Sequence, residues 1–473
     1  MRGSTSPAAA GSVLLAWLIC GTASAADRPA QLAEAVEQRD LVLAQKLLSQ
    51  RVDVNERQGD GASALHWAVH WDDARMVDRL IHAGADVNAA NVYGVTPLWL
   101  ACMNANAQTA ERLLDAGANA NAALRAGETV LMRAARTGNP RIARALLAHG
   151  AKVNARESVQ QQTALMWAVA QGHGEVTRIL LESGADPRAR STSGFSPLLF
   201  AARSGDIASA RVLLDAGVDV NEGAPDGASP LLIAVASAQE DVARLLLERG
   251  ANPNQADKLG YAPLHATVWK PSAKEGLVRA HASVALVDAL LSRGADPNAR
   301  MVKDPPAVPG SYFFQQGLVG ATPYWLAAKS ADVDIMRALA KGGANITLAN
   351  KDGNTPLMVA SGLGQGSGPG SVPEKALFEA VRTAIELGGD VNSLNANGQT
   401  AAHGAAGAGF DAIIRLLAEH RAKLNVKDKR GQTPLAVARA RNASEMVSLL
   451  KSLGAEDASS PEASGSAAPK IPR

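Results

Sequence analysis

The sequence predicts an all-α repeat protein, a solenoid of helix-turn-helix units with short β-hairpin or turn fingers. Two observations lead to this prediction. A short motif, in which a hydroxyl or small residue precedes Leu and then Ala, recurs with a period of about 33 residues. A glycine follows most motif starts at a fixed offset, as Gly84 follows Ser63 and Gly117 follows Thr96. A regular period of this kind is typical of stacked repeats, in which each unit packs only against its neighbours.

The motif starts follow a strict register. Successive starts are one repeat length apart, except for two longer steps, from Ala262 to Thr322 and from Thr355 to Thr400, that indicate insertions. The starts are Ser63, Thr96, Thr129, Thr163, Ser196, Ser229, Ala262, Thr322, Thr355, Thr400 and Thr433.

Each unit is predicted to contain two helices. The hydroxyl caps the first helix, and proline often follows at the first helical position, where its missing N–H is not needed. An apolar run such as residues 245–247 belongs to the second helix, and glycine ends that helix in a left-handed turn. The glycines in question are Gly84, Gly117, Gly150, Gly184, Gly217 and Gly250.

Three segments match the Thr-Pro-Leu-His signature of the ankyrin repeat most closely, namely Thr96-Pro97-Leu98, Thr355-Pro356-Leu357 and Pro263-Leu264-His265. The chain therefore resembles ankyrin-repeat proteins of an exported bacterial type. The resemblance implies about twelve repeats, counting an amino-terminal cap at residues 31–55. It also implies that binding is the mode of action. The chain is not expected to be an enzyme, because the repeats account for almost every residue between the signal and the tail.

The expected domain organisation has three parts: a signal peptide at residues 1–25, an ankyrin solenoid at 26–455 and a disordered tail at 456–473. Insertions are expected near residues 270–280, 302–318 and 362–374. Ala262, Tyr324 and Arg421 depart from the repeat pattern. Their units are therefore expected to be less regular than the others.

Residues 1–25 have the features of a secretory signal. Arg2 is the only charge, residues 13–21 are apolar, and Ala23-Ser24-Ala25 has the small residues of a cleavage site. Ile19 before Cys20 argues against a lipoprotein, because that class needs a small residue there. The expected location is a bacterial periplasm, with an extracellular location as the alternative.

The charge balance narrows the class of partner. Lys and Arg total 47 and Asp and Glu total 45, so the net charge of +2 attracts neither nucleic acid nor anionic lipid. No segment after the signal is apolar over the roughly 18 residues that span a bilayer. The partner is therefore expected to be a protein, with no nucleic acid, no membrane insertion and a monomeric chain.

Residues that could carry chemistry have structural explanations. His66 and His70 are one helical turn apart, yet Trp67 stands where a metalloprotease has its glutamate. The resemblance instead assigns His66, His265 and His403 to hydrogen bonds between repeats. The glycine-rich residues 362–366 lack the strand that precedes a nucleotide loop, and Cys102 is interpreted as a packing residue. No catalytic residue, metal or cofactor is predicted.

In ankyrin proteins, the turn tips and the ends of the first helices line a concave face that contacts partners. The residues at those positions and in the long insertion are rich in aromatic and basic types, which interface hot spots favour. The predicted partner-binding residues are His70, Trp71, Tyr93, Met103, Asn104, Arg136, Phe195, Arg203, Tyr261, Trp269, Tyr312, Phe313, Phe314 and Lys329.

Three functions are compatible with these features. The first is an exported scaffold that binds a protein partner through the concave face. The second is an accessory protein that protects, inhibits or matures a periplasmic enzyme, and the third is a secreted host-directed effector. An activity assay on a co-purified partner separates the second from the first.

Overall fold

The computed structural model describes residues 30–272, 276–279, 282–305, 317–364 and 372–457. The chain divides into two compact units, Met1–Lys152 and Val153–Arg473. Both consist of helix pairs, so the predicted all-α solenoid of helix-turn-helix units is confirmed. The predicted signal peptide and all but two residues of the predicted tail lie outside the described residues.

In the first unit, four helix pairs follow one another along the chain. The first helix of each pair follows the capping residue, apart from the amino-terminal pair. The first helices are α1 (Gln31–Glu37), α3 (Ala64–His70), α5 (Pro97–Met103) and α7 (Val130–Thr137), and the second helices are α2 (Leu41–Ser49), α4 (Ala74–His82), α6 (Ala107–Asp115) and α8 (Pro140–Ala148).

The second unit continues the pattern over its described residues. Its first helices are α9 (Ala164–Ala170), α11 (Pro197–Ser204), α13 (Pro230–Ala236), α15 (Pro263–Ala266), α17 (Pro323–Ser330), α19 (Pro356–Ala360), α21 (Ala401–Ala408) and α23 (Pro434–Ala440). Its second helices are α10 (Gly174–Glu182), α12 (Ile207–Asp215), α14 (Glu240–Glu248), α16 (Val284–Ser292), α18 (Val333–Lys341), α20 (Glu374–Glu386), α22 (Asp411–Glu419) and α24 (Ser444–Ser452).

The hydroxyl caps form as predicted. The Thr96 side chain accepts a hydrogen bond from the Trp99 amide at 3.2 Å, and Ser229 does the same for Leu232 at 3.1 Å. Each cap satisfies an amide that the first helical turn would otherwise leave unpaired. Because the bond stays within one helical turn, it depends on the local sequence alone.

The predicted left-handed turns after the second helices are also present. The six glycines predicted at these turns have φ between +80° and +91°. Arg421 keeps the same turn with φ of +64°, although this conformation costs a residue with a Cβ about 1 kcal/mol. The departure at Arg421 therefore changes the residue and leaves the turn in place.

Only one of the three departing repeats is irregular. Helix α15, which follows Ala262, has four residues, whereas α11 has eight and α9 has seven. The expectation of irregularity is wrong for the repeats of Tyr324 and Arg421, because α17 and α21 both have eight residues. Tyr324 is accommodated by full burial within α17.

The insertion near residues 270–280 forms a β-hairpin between α15 and α16. Strand β1 (Trp269–Ser272) pairs antiparallel with β2 (Gly276–Arg279), with Trp269 opposite Arg279. Residues 306–316 and 365–371, which contain most of the other two insertions, lie outside the described residues. Helix α20 follows the third insertion and is thirteen residues long, whereas α18 has nine.

Neighbouring repeats within each unit are connected by backbone bonds between their fingers. The Val92 amide donates to the Asp60 carbonyl at 2.9 Å in the first unit, and the Lys258 amide donates to the Asp226 carbonyl at 2.8 Å in the second. A second set of bonds joins the loops after the second helices, where the Asn88 side chain donates to the Gly117 carbonyl at 3.1 Å. These contacts hold successive fingers and first helices at a constant spacing.

Candidate protein-binding face

Successive first helices contact one another within each unit, so their exposed side chains form a surface together with the fingers that precede them. We call this surface the first-helix face; each unit has its own. From α3 onward in the first unit, the described first helices contain no Asp or Glu, and the Arg or Lys residues on them are Arg133 and Arg136. Aromatic and basic residues are therefore prominent on this face.

In the first unit, Trp71 lies at the end of α3 and is 41% exposed. Its indole Nε1 donates to the Glu37 carbonyl at 3.1 Å, and its ring meets His70 edge to face with centroids 4.7 Å apart. The Arg39 guanidinium lies 5.6 Å from the ring centroid of Trp71. The ring is thus oriented by α1 and still presents area to solvent.

The other predicted residues of the first unit differ in how much of each side chain is exposed to solvent. Tyr93 stands on a finger tip and is 52% exposed, whereas Met103 and Arg136 are half-buried at the ends of α5 and α7. Asn104 is half-buried, and its side-chain amide donates to the Val69 and His70 carbonyls at 3.1 and 3.2 Å. These bonds give Asn104 a structural role between α5 and α3.

A cation–aromatic contact between α5 and α7 was missed by the sequence prediction. The Arg133 guanidinium lies 4.5 Å from the Trp99 ring centroid and forms an ion pair with Glu128 at 2.5 Å. Burial lowers the pKa of Arg133, and the Glu128 carboxylate opposes that shift. The sequence did indicate this contact, because Trp99 and Arg133 both lie in the first turn of a first helix, in adjacent repeats.

In the second unit, Phe195 and Arg203 form one cluster with Phe200. The Arg203 guanidinium lies 5.0 Å from the ring centroids of both Phe195 and Phe200, and the two rings are 5.7 Å apart. Phe195 is half-buried, Phe200 is buried and Arg203 is exposed.

The prediction that Tyr261 is exposed on a turn tip is wrong. Tyr261 is 3% exposed, and its ring lies 5.9 Å from that of His265. Burial raises the pKa of its hydroxyl well above the ordinary value. Its repeat also carries the inserted strand β1, which contacts α13 and α15.

The other predicted residues of this unit lie at or just beyond the ends of first helices. Trp269 is half-buried at the start of β1. The Lys329 ammonium lies 5.6 Å from the Trp325 ring centroid and donates to the Gly364 carbonyl at 3.0 Å. Desolvation lowers the pKa of Lys329 to about 8. Tyr312, Phe313 and Phe314 lie outside the described residues.

The structure thus brings together His70 with Trp71 in the first unit and Phe195 with Arg203 in the second. The histidine prediction is confirmed at His66, His265 and His403, whose side chains reach backbone carbonyls of the following repeat. Within the described ranges, no three His, Cys, Asp or Glu side chains converge as metal ligands. Burial raises the pKa of the Cys102 thiol to about 12, which fits a packing role.

None of the helices in the described part of the chain is long and apolar enough to cross a bilayer. A family model described as ankyrin repeats, three copies, matches residues 32–124, 101–191, 183–257 and 372–459. These matches lie in both units. They include the caps and glycine turns that position the first-helix face in each unit.

Two curated relatives match shorter stretches. The chain is 32% identical to the putative E3 ubiquitin-protein ligase XBAT35 of Arabidopsis thaliana over 114 residues, which cover 24% of this chain and 22% of that protein. It is 37% identical to human Rabankyrin-5 over 89 residues, which cover 19% of this chain and 7% of that protein. The chain therefore spans less than a quarter of the length of these relatives. The solved structure of the human ASB11 ankyrin repeat domain is 29% identical to this chain, with a TM-score of 0.42. The match covers 48% of this chain and 100% of that domain.

Proposed function

We propose that this chain, which belongs to the ankyrin repeat family, is an exported, non-catalytic scaffold. It binds a protein partner through its first-helix face. Ankyrin repeats are protein-interaction modules, and stacked repeats present an extended surface for this purpose. A protein partner follows from the family, whereas export and the use of this face are our proposals.

The observation that carries the proposal is the exposure of large aromatic rings on this face. Trp71 is 41% exposed and Tyr93 is 52% exposed, although both belong to regular repeats. Exposed Trp and Tyr residues are enriched among the residues that dominate binding energy. Rings held by neighbouring side chains lose little further entropy on binding, which suits them as anchors.

The first test is affinity capture from an extract of the organism's own cell envelope. The native chain is compared with a variant that combines Trp71→Ala and Tyr93→Ala, and captured proteins are identified by mass spectrometry. We expect at least about a tenfold loss of one specific partner in the variant, because two hot-spot side chains are removed.

The matched control is Val42→Ala with Leu43→Ala, which removes exposed apolar area from α2, a second helix. Trp71 also bonds to Glu37, so unfolding midpoints are measured for every variant, and Tyr93→Ala alone has to reproduce part of the loss. Equal loss in the control, or undiminished capture by a folded Trp71/Tyr93 variant, would exclude this face as the binding surface.

Export has a separate test. If residues 1–25 act as a signal, the chain recovered from a periplasmic fraction begins at Ala26. Amino-terminal sequencing of the recovered chain measures this directly. A chain that begins at Met1 and is confined to the cytoplasmic fraction contradicts export and leaves the binding proposal intact.

A further inference from the structure

In the unit Val153–Arg473, the charge on the first helices is one-sided. Its eight described first helices, α9 to α23, contain no Asp or Glu, and their Arg and Lys residues are Arg203, Lys329 and Arg439. The described second helices of the same unit carry both signs, for example Glu175 with Arg178. The first helices therefore form a row without carboxylates, whereas the fingers before them carry some, such as the exposed Asp226 and Asp352.

Of the three cations, Arg439 is neutralised by an ion pair with Asp457 and Lys329 donates to the Gly364 carbonyl. Arg203 is different. It is exposed, it rests against the Phe195 and Phe200 rings, and it makes no hydrogen bond or ion pair with the described residues. Desolvation by its surroundings lowers its pKa, with no carboxylate opposing the shift.

The charged cluster on the same repeat is at the opposite end of α11. There the Glu222 carboxylate accepts a hydrogen bond from the Ser196 hydroxyl, at the cap of α11, and pairs with Arg190. Arg203 lies in the last turn of α11. Glu222 is thus engaged by other groups and is not the counter-ion of Arg203.

The guanidinium of Arg203 is preorganised by its rings. An arginine held against aromatic faces keeps the N–H groups along its edge for other contacts, and a carboxylate accepts two of them in parallel. Trp167 and Ile233 occupy the position of Phe200 on the adjacent helices α9 and α13, and both are half-buried. Apolar side chains therefore flank the position of Phe200 on both neighbouring repeats.

We infer that the first-helix face of Val153–Arg473 binds an acidic segment of the protein partner, with Arg203 receiving a Glu or Asp side chain and Trp167, Phe195 and Ile233 contacting apolar residues beside it. This inference rests on the proposed function and specifies the chemistry of the partner. Charge complementarity supports it, because a carboxylate on the partner meets no competing carboxylate on these helices.

A nucleic acid fits this face poorly. Polyanion binding needs a stripe of cations that follows the phosphates, and its strength grows with the number of phosphates neutralised. Three cations spread over eight helices, one of them paired with Asp457, form no such stripe along the described first helices. A short segment with one or two carboxylates between apolar side chains matches the observed spacing better.

The test is fluorescence anisotropy of the purified chain with three fluorescein-labelled peptides. The first has alternating Glu and Phe and an amidated carboxyl end, the second has Gln in place of every Glu, and the third is the Gln peptide with a free carboxyl end. We expect the Glu peptide to bind at least about tenfold more tightly than either Gln peptide. Arg203→Met should weaken that binding by roughly 10- to 100-fold, the effect of losing charge-assisted hydrogen bonds.

Two further variants separate charge from geometry. Arg203→Lys keeps the charge but loses the planar fork, so it should recover only part of the affinity. Arg211→Met is the matched control, because Arg211 is an exposed arginine on α12, a second helix. It should bind the Glu peptide like the native chain. Circular dichroism and unfolding midpoints establish that each variant is folded.

Several outcomes would overturn the inference. Equal binding of the Glu and amidated Gln peptides would remove the acidic requirement, and strong binding of the free-ended Gln peptide would indicate a receptor for a terminal carboxylate. Equal losses in Arg203→Met and Arg211→Met, or tighter binding of a single-stranded oligonucleotide of matched charge, would indicate nonspecific attraction. If Arg203→Met keeps the captured partner that Trp71→Ala with Tyr93→Ala loses, the proposed function stands and this inference fails.

Discussion

Trp325→Ala should lower the free energy of unfolding by roughly 3–5 kcal/mol, the usual loss when a large buried aromatic side chain is truncated. Trp325 is 2% exposed and is among the largest buried side chains of α17. Its Nε1 donates at 2.8 Å to the Asn354 carbonyl, which belongs to the next repeat. Truncation therefore leaves a cavity and an unpaired carbonyl at the contact between two repeats.

Urea unfolding followed by far-UV circular dichroism measures the loss. Trp325→Phe is the matched variant, because it keeps most of the apolar volume and removes the hydrogen bond; we expect a loss of about 1–2 kcal/mol.

In repeat proteins stability is close to a sum of repeat and interface contributions, so hydrogen exchange should rise in α17 and α19 and stay unchanged in α3. A loss below about 1 kcal/mol in Trp325→Ala would contradict this packing, because cavity formation alone costs more.

Acidification from pH 6.5 to about 4 should lower the stability of the second unit by roughly 3 kcal/mol through His265 alone. Burial lowers the pKa of His265 to about 4 from an ordinary value of 6.5, and it lowers the pKa of His66 and His403 as well. In each case Nδ1 accepts a backbone N–H, at Ser63, Ala262 or Thr400. The neutral ring with its proton on Nε2 is therefore the form that the fold requires.

The direction of the effect follows from where the protons bind. Below pH 6.5 the unfolded chain takes up a proton on each histidine, while folded His265 stays neutral until the pH reaches about 4. The contribution is fully present above pH 6.5 and is lost as the pH falls through this window. Burial raises the pKa of the Glu222 and Asp257 carboxyls, so their protonation favours the folded state at the acid end and has the opposite sign.

The measurement is the urea midpoint at intervals between pH 7.5 and 4.5. His265→Gln should be less stable than the native chain at pH 7.5 and should show a shallower pH dependence. His82→Gln, which removes an exposed histidine from α4, is the control for loss of a histidine in itself. A His265→Gln variant with the native pH dependence would assign the acid loss to other groups.

Equivalent finger positions differ in their exposure. Phe195 and Tyr261 both directly precede a capping position, yet Phe195 is half-buried beside Arg203 and Tyr261 is 3% exposed. Their repeats differ in one respect, because that of Tyr261 carries the inserted strand β1, which contacts α13 and α15. Exposure at a repeated position depends on side chains from other parts of the fold, so the burial of Tyr261 could not be predicted from the repeat pattern.

The sequence by itself determined the features that depend on contacts a few residues apart or on a repeated register. The caps at Thr96 and Ser229 lie within one helical turn, the glycine turns depend on local backbone freedom, and the histidine links recur because each repeat meets an equivalent neighbour. Only the tertiary structure decided which side chains on the first-helix face remain available. Asn104 bonds to α3, Tyr261 is covered and Arg203 stays exposed between two rings, because burial and side-chain partners depend on residues from other repeats.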